Sequence, residues 1–330
     1  MTDGTDVTDG TDGTKVNTIT EGTVDFTTTY QGRPETHQTW YKIVPGADSG
    51  KKPLLALHGG PGCTHDYLLS LTDLAEPDGP AGSGRTVIFY DQIGNGRSTH
   101  RPERGEDFWT VDLFVKELEN LVSHLNLAQA GFHVLGQSWG GFLAQEFALT
   151  QPAGLQGLVL ADTASSWLGF LDECNKLRAK LPPEVDAVLR EHEAAGTFGD
   201  PEYAEATKVF YQRHVCRLDP MPPDVRVTFD WMDSDPTVYH TMNGPSEFHC
   251  IGSAIGWRVT DRLPEISVPA LIVSGRHDEA GLPLQAELLN GLTTAELTVF
   301  GDSSHMPHWE ERARYMRVVG GWLDGHDAVR

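Results

Sequence analysis

A chain of 330 residues, 39% of them hydrophobic, can build one large domain with an insertion, or two domains. Its formal net charge of -22 argues against nucleic acid and against anionic membranes, both of which need basic patches. No apolar run approaches the roughly 20 residues needed to span a bilayer, and the N-terminus lacks the basic and apolar regions of a secretory signal, so a cytoplasmic location is expected.

Residues 1–20 repeat Thr-Asp-Gly at positions 2–4, 8–10 and 11–13 and hold almost no apolar side chains. Such a segment cannot bury enough surface to offset its ordering entropy, so a disordered acidic tail is expected. No Glu closes a 12-residue calcium loop there. From Thr23 the pattern changes. Thr39–Val44 reads as a strand, Pro53–His58 as a buried strand, and Thr86–Asp91 as another. Between Thr110 and Asn126, apolar residues at 111, 114, 118, 121, 122 and 125 follow a helical period. A strand at Phe132–Leu135, a helix at Phe142–Leu149 and a strand at Leu158–Leu160 come next.

Strands alternating with helices imply an α/β fold with a mostly parallel sheet, covered on both faces. The alternation stops after Asp162. Helix-like stretches at 168–181 and 201–218 follow, broken by Pro182-Pro183 and Pro222-Pro223. Strands return at Pro269–Gly275 and Leu297–Phe300, and a helix over 307–323 closes the chain. The expected organisation is therefore one core in two parts, 21–162 and 263–330, with a helical lid inserted at 163–262. Cys63, Cys174, Cys216 and Cys250 are widely spaced and form no Cys-x-x-Cys pair, which speaks against a zinc or redox motif. Cys63 reads as a packing residue whose modification could block a neighbouring site.

The chemistry centres on Gly136-Gln137-Ser138-Trp139-Gly140-Gly141, between a strand and a helix. Strand, Gly-x-Ser-x-Gly and helix describe a nucleophile elbow, with the serine hydroxyl exposed on a tight turn. A serine needs a base, and the base an orienting carboxylate, in the order Ser, acid, His for this arrangement. Asp278 follows one late strand and His305 the next, so Ser138, Asp278 and His305 are the candidate catalytic triad. His277 and His308 are weaker candidates for the base, and a His305/His308 metal pair lacks an acidic or Cys cluster. The developing oxyanion needs backbone N–H donors, expected from Trp139 and from Gly60 of His58-Gly59-Gly60-Pro61-Gly62, with Gly59 as the neighbouring alternative. No metal or organic cofactor is required.

His58-Gly59-Gly60-Pro61-Gly62, His65-Asp66-Tyr67-Leu68, Phe89-Tyr90-Asp91-Gln92-x-Gly94-x-Gly96-Arg97-Ser98 and the elbow together resemble the proline iminopeptidase family of α/β-hydrolases. The resemblance spans about residues 23–325, and Met242-Asn243-Gly244-Pro245-Ser246-Glu247-Phe248 resembles its tricorn-interacting aminopeptidase branch. It implies an α/β-hydrolase fold and release of an N-terminal residue, often proline, from small peptides or amides. It also implies that Glu247 and Glu279 bind the substrate's protonated amine, a role that suits paired carboxylates. Asp91 and Arg97 read as loop scaffolding. Gln137 stands where the family often has Gly. Trp167, Trp231, Tyr239 and Phe248 are candidate pocket residues beside Gly59. Other readings are an amidase removing an aminoacyl group from a small metabolite, an esterase or lactonase, and an inactive binding module.

Overall fold

The computed structural model describes residues 18–47, 50–80 and 82–327. The expected tail falls mostly on residues 1–17, outside the described residues; the first strand already begins at Thr20. The described strands are β1 (Thr20–Tyr30), β2 (Arg33–Val44), β3 (Leu54–Leu57), β4 (Val87–Asp91), β5 (Phe132–Gln137), β6 (Leu155–Ala161), β7 (Ala270–Gly275) and β8 (Ala295–Phe300). They form one sheet in the order β1-β2-β4-β3-β5-β6-β7-β8. The first three in that order pair antiparallel, and all later neighbours pair parallel. β3, β4, β5 and β7 are buried along their whole length, because helices cover both faces.

The helices are α1 (Val111–His124), α2 (Leu127–Ala130), α3 (Trp139–Leu149), α4 (Trp167–Arg178), α5 (Pro183–Ala195), α6 (Pro201–His214), α7 (Pro223–Ser234), α8 (Thr237–Met242), α9 (Leu282–Gly291), α10 (Pro307–Glu310) and α11 (Arg312–Gly325). Thr110 caps α1 by accepting from Leu113 N, and Ser166 caps α4 by accepting from Gly169 N. The expected C-terminal helix is two helices, interrupted at Glu311. None of these helices is long and apolar enough to cross a membrane.

Helices α4 to α8 lie between β6 and β7 in the chain. The two proline pairs do not merely break helices there: Pro183 and Pro223 begin α5 and α7, where a fixed φ and a missing N–H cost nothing. The inserted segment packs on the core through aromatic rings. Phe142 of α3 stacks on Trp257 with centroids 4.4 Å apart and meets Trp167 edge-on at 5.2 Å. His100 Nδ1 meets Asp235 Oδ2 at 2.5 Å, a second tie between core and insertion.

The C-terminal end is fastened electrostatically. The fully buried Arg85 donates to Asp324 Oδ1 at 2.8 Å and to Asp327 Oδ2 at 2.7 Å. A guanidinium removed from water in this way is tolerated because two carboxylates accept its protons.

Candidate active site

Ser138 follows β5 and caps the start of α3 with φ 56° and ψ −124°. A non-glycine residue at positive φ stores roughly 1–3 kcal/mol of strain, which the surroundings must hold in place. Ser138 N donates to Ala161 O at 2.9 Å, and Thr163 Oγ1 donates to Ser138 O at 2.8 Å. The flanking glycines permit close backbone approach: a Cβ on Gly136 would lie 2.1 Å from Gly140 O, and one on Gly140 2.1 Å from Leu57 O. These contacts let α3 sit against the ends of β3 and β5 with the Ser138 side chain partly exposed.

Two loops at the ends of β7 and β8 bring Asp278 and His305 together. His305 Nδ1 lies 2.6 Å from Asp278 Oδ1, and both side chains are buried. Asp278 also accepts from Ala280 N at 2.9 Å and from Ser274 Oγ at 3.2 Å, which fixes its carboxylate. Behind it, Asp162 accepts from Gly275 N at 3.0 Å, and burial together with the neighbouring Asp278 holds the Asp162 carboxyl well above the usual range. Ser138 and His305 line one cavity. Among the described residues the Ser138 hydroxyl makes no hydrogen bond, and His305 Nε2 lies 3.6 Å from Glu279 Oε1. His277 is elsewhere, with its carbonyl against His214 Nδ1 at 2.8 Å. His308 is buried against Tyr67 O at 3.2 Å, and burial pushes it down to about 3, so it is neutral.

The loop after β3 is held by a hydrogen-bond network that no local pattern announces. Gly59 N donates to Tyr67 Oη at 2.7 Å, so that N–H is already used. Tyr67 Oη donates in turn to Gln137 Oε1 at 2.5 Å, and Gln137 Nε2 donates to His305 O at 2.9 Å. One side chain of the elbow thus ties the glycine loop to the loop carrying His305. Trp139 Nε1 donates to Gln92 Oε1 at 2.9 Å, while Gln92 N donates to His58 Nε2 at 2.9 Å. Burial lowers His58 to about 4, which keeps that nitrogen free to accept. The backbone N–H groups of Gly60 and Trp139 make no hydrogen bond to any described residue, and both residues line a second, smaller space beside Ser138. Two unpaired donors next to a serine can receive a developing negative oxygen.

Glu247 and Glu279 both line the larger cavity. Glu279 is buried, and its Oε2 has no hydrogen-bond partner among the described residues. Glu247, half-buried, accepts from Tyr239 Oη at 2.7 Å. Burial pushes both carboxyls up, and Glu279 is raised further by Glu247 and Asp278. No Lys or Arg of the described residues forms an ion pair with either. Of the candidate pocket aromatics, Trp167 lines the smaller space. Tyr239 holds Glu247. Phe248 packs under Arg178 and against Phe210, and Trp231 lies near Arg97 and His100, so neither lines the two spaces. Asp91 and Arg97 form a ring of ion pairs with His65 and Asp66. Cys63 faces the cavity with Sγ 3.4 Å from Met232 Sδ, and burial raises its thiol, which makes it a poor nucleophile. His192, Asp200 and Glu202 bring ligand atoms within 4.8 Å of one another on the inserted segment, where Asp200 caps α6.

Residues 52–312 match the alpha/beta hydrolase fold family. The chain is 37% identical over 280 residues to a proline iminopeptidase of Thermoplasma volcanium, covering 85% of this chain and 91% of that relative. Among solved structures it is similar to VinJ, with a TM-score of 0.84 at 46% identity, covering 92% of this chain and 99% of that one. It is similar also to the proline iminopeptidase of Mycobacterium smegmatis, with a TM-score of 0.81 at 40% identity and the same coverage, 92% and 99%.

Proposed function

The chain belongs to the proline iminopeptidase family of α/β-hydrolases, and on that premise we propose that it releases N-terminal proline, or a small apolar residue, from peptides and aminoacyl amides through an acyl-enzyme on Ser138. The observation that carries the reading is the pair Glu247 and Glu279, two carboxyl groups with no Lys or Arg partner among the described residues, in the cavity that also holds Ser138 and His305. A protonated α-amine supplies the missing charge. A substrate whose amine sits between them presents its first carbonyl to the serine, because the amine and that carbonyl are separated by one carbon.

In this reading His305 removes the Ser138 proton as Oγ attacks the carbonyl, and Asp278 holds the imidazole through Nδ1. The N–H groups of Trp139 and Gly60 receive the oxyanion. His305 then protonates the departing amine, and water attacks the acyl-enzyme by the same route in reverse. The inserted segment acts as a lid that supplies Glu247 and the apolar wall of Val215, Val225, Phe229 and Met232. An esterase for uncharged esters would leave both carboxylates without a counter-charge.

The test compares kcat/KM for prolyl anilide and its N-acetylated form. A preference of roughly 30-fold or more for the free amine is expected, since a buried charge pair contributes at least about 2 kcal/mol. Equal rates would remove the amine site and favour an esterase.

A further inference from the structure

The site holds a contact that the reaction cannot use as it stands. His305 Nδ1 is committed to Asp278 at 2.6 Å, so Nε2 is the nitrogen that can act as base. Yet Nε2 lies 3.6 Å from Glu279 Oε1, and the Ser138 hydroxyl makes no hydrogen bond among the described residues. A bare lone pair facing a buried carboxylate is repulsive; a proton between them makes the contact favourable.

Resting on the amine-site reading above, we propose that, before substrate binds, the Glu279–His305 ion pair holds one proton, and that the substrate's ammonium displaces this proton, freeing Nε2 to accept from Ser138. Glu279 is then a specificity-determining residue that acts on the base as well as on the amine. The step balances simply: protonated enzyme plus ammonium gives the ammonium complex plus one proton released to solvent, with no other bond made or broken.

The surroundings of Glu279 favour this exchange. Glu247 and Asp278 face it as carboxyl groups, and Cys63, Cys174, Cys250 and Tyr211 as neutral thiols and a phenol raised by burial. Its only ion pair among the described residues is with His305. Its Oε2 has no hydrogen-bond partner among the described residues, and the residue lines the cavity. Among the described residues no Lys or Arg pairs with Glu279, so that proton is its counter-charge, and a bound ammonium takes the proton's place beside both Glu279 and Glu247. Substrates without a charged amine leave the base occupied, so their defect falls on kcat as well as on KM.

Pyrrolidinium chloride, a cation with no acyl group, tests the exchange in the wild-type protein. The readouts are the rate of Ser138 phosphonylation by an uncharged aryl phosphonate and the buffer dependence of the binding heat. Saturating pyrrolidinium is expected to speed phosphonylation roughly 10-fold or more, relative to sodium chloride, and to release close to one proton per site. Glu279→Ala is expected to react quickly without pyrrolidinium and to ignore it. If pyrrolidinium binds but slows phosphonylation and releases no proton, the exchange is overturned while the amine site stands. If it neither binds nor changes the rate, and free and N-acetylated anilides are cleaved equally, the amine site falls with it.

Discussion

Replacing Ser138 with alanine is expected to lower kcat by about 10⁴- to 10⁶-fold, because the remaining groups then have no nucleophile to serve. The substitution removes one oxygen from a partly exposed position and leaves its backbone bonds, Ser138 N to Ala161 O and Thr163 Oγ1 to Ser138 O, in place. The positive φ of 56° is as strained for alanine as for serine, so thermal stability should stay near that of the parent. Binding of a cationic amine should also survive, since Glu247 and Glu279 are untouched. The measurement is steady-state turnover of prolyl anilide together with Tm; turnover within tenfold of the parent would exclude an acyl-enzyme on this residue.

Glu247→Gln carries the second large effect. It should reduce kcat/KM for free-amine substrates by about 30- to 5,000-fold, equivalent to about 2–5 kcal/mol for one partner of a desolvated charge pair. Glutamine keeps an oxygen to accept from Tyr239 Oη, which lies 2.7 Å from Glu247 Oε1, so the wall of the cavity is preserved. N-acetylated substrates, which bring no charge, should lose nothing. The ratio of free to acetylated kcat/KM therefore isolates the charge; an unchanged ratio would take Glu247 out of amine binding.

The core of the fold could be read from the chain because parallel strands buried on both faces give unbroken apolar runs, as in Leu54–Leu57 and Ala270–Gly275. The strand β1 was less legible, since its alternate residues are exposed and its Thr-rich sequence continues the polar composition of the tail. Pro182-Pro183 and Pro222-Pro223 read as interruptions, although proline at a helix start is as consistent with the sequence. At the site, Ser138, Asp278 and His305 stand out by chain order and by their positions just past strand ends, and the fold brings the three to one place. Glu247 had no such local signal and came only from the family resemblance.

The Gln137–Tyr67 link lay beyond sequence reasoning. Its residues are 70 positions apart, and the Gln137 amide also bonds a carbonyl 168 positions away. Only the packed structure shows that the unusual elbow glutamine joins the glycine loop to His305. Trp231 and Phe248 read as pocket aromatics from their place in the insertion, but Trp231 lies near Arg97 and His100 of the core and Phe248 packs against Arg178 and Phe210.

The acyl-enzyme on Ser138 is tested most directly by quenching the enzyme with acid during turnover of an activated prolyl ester and mapping the protein by mass spectrometry. A prolyl adduct is expected on the peptide that carries Ser138, absent in Ser138→Ala. A fast release of proline with no adduct on that serine, or an adduct on another residue, would contradict it.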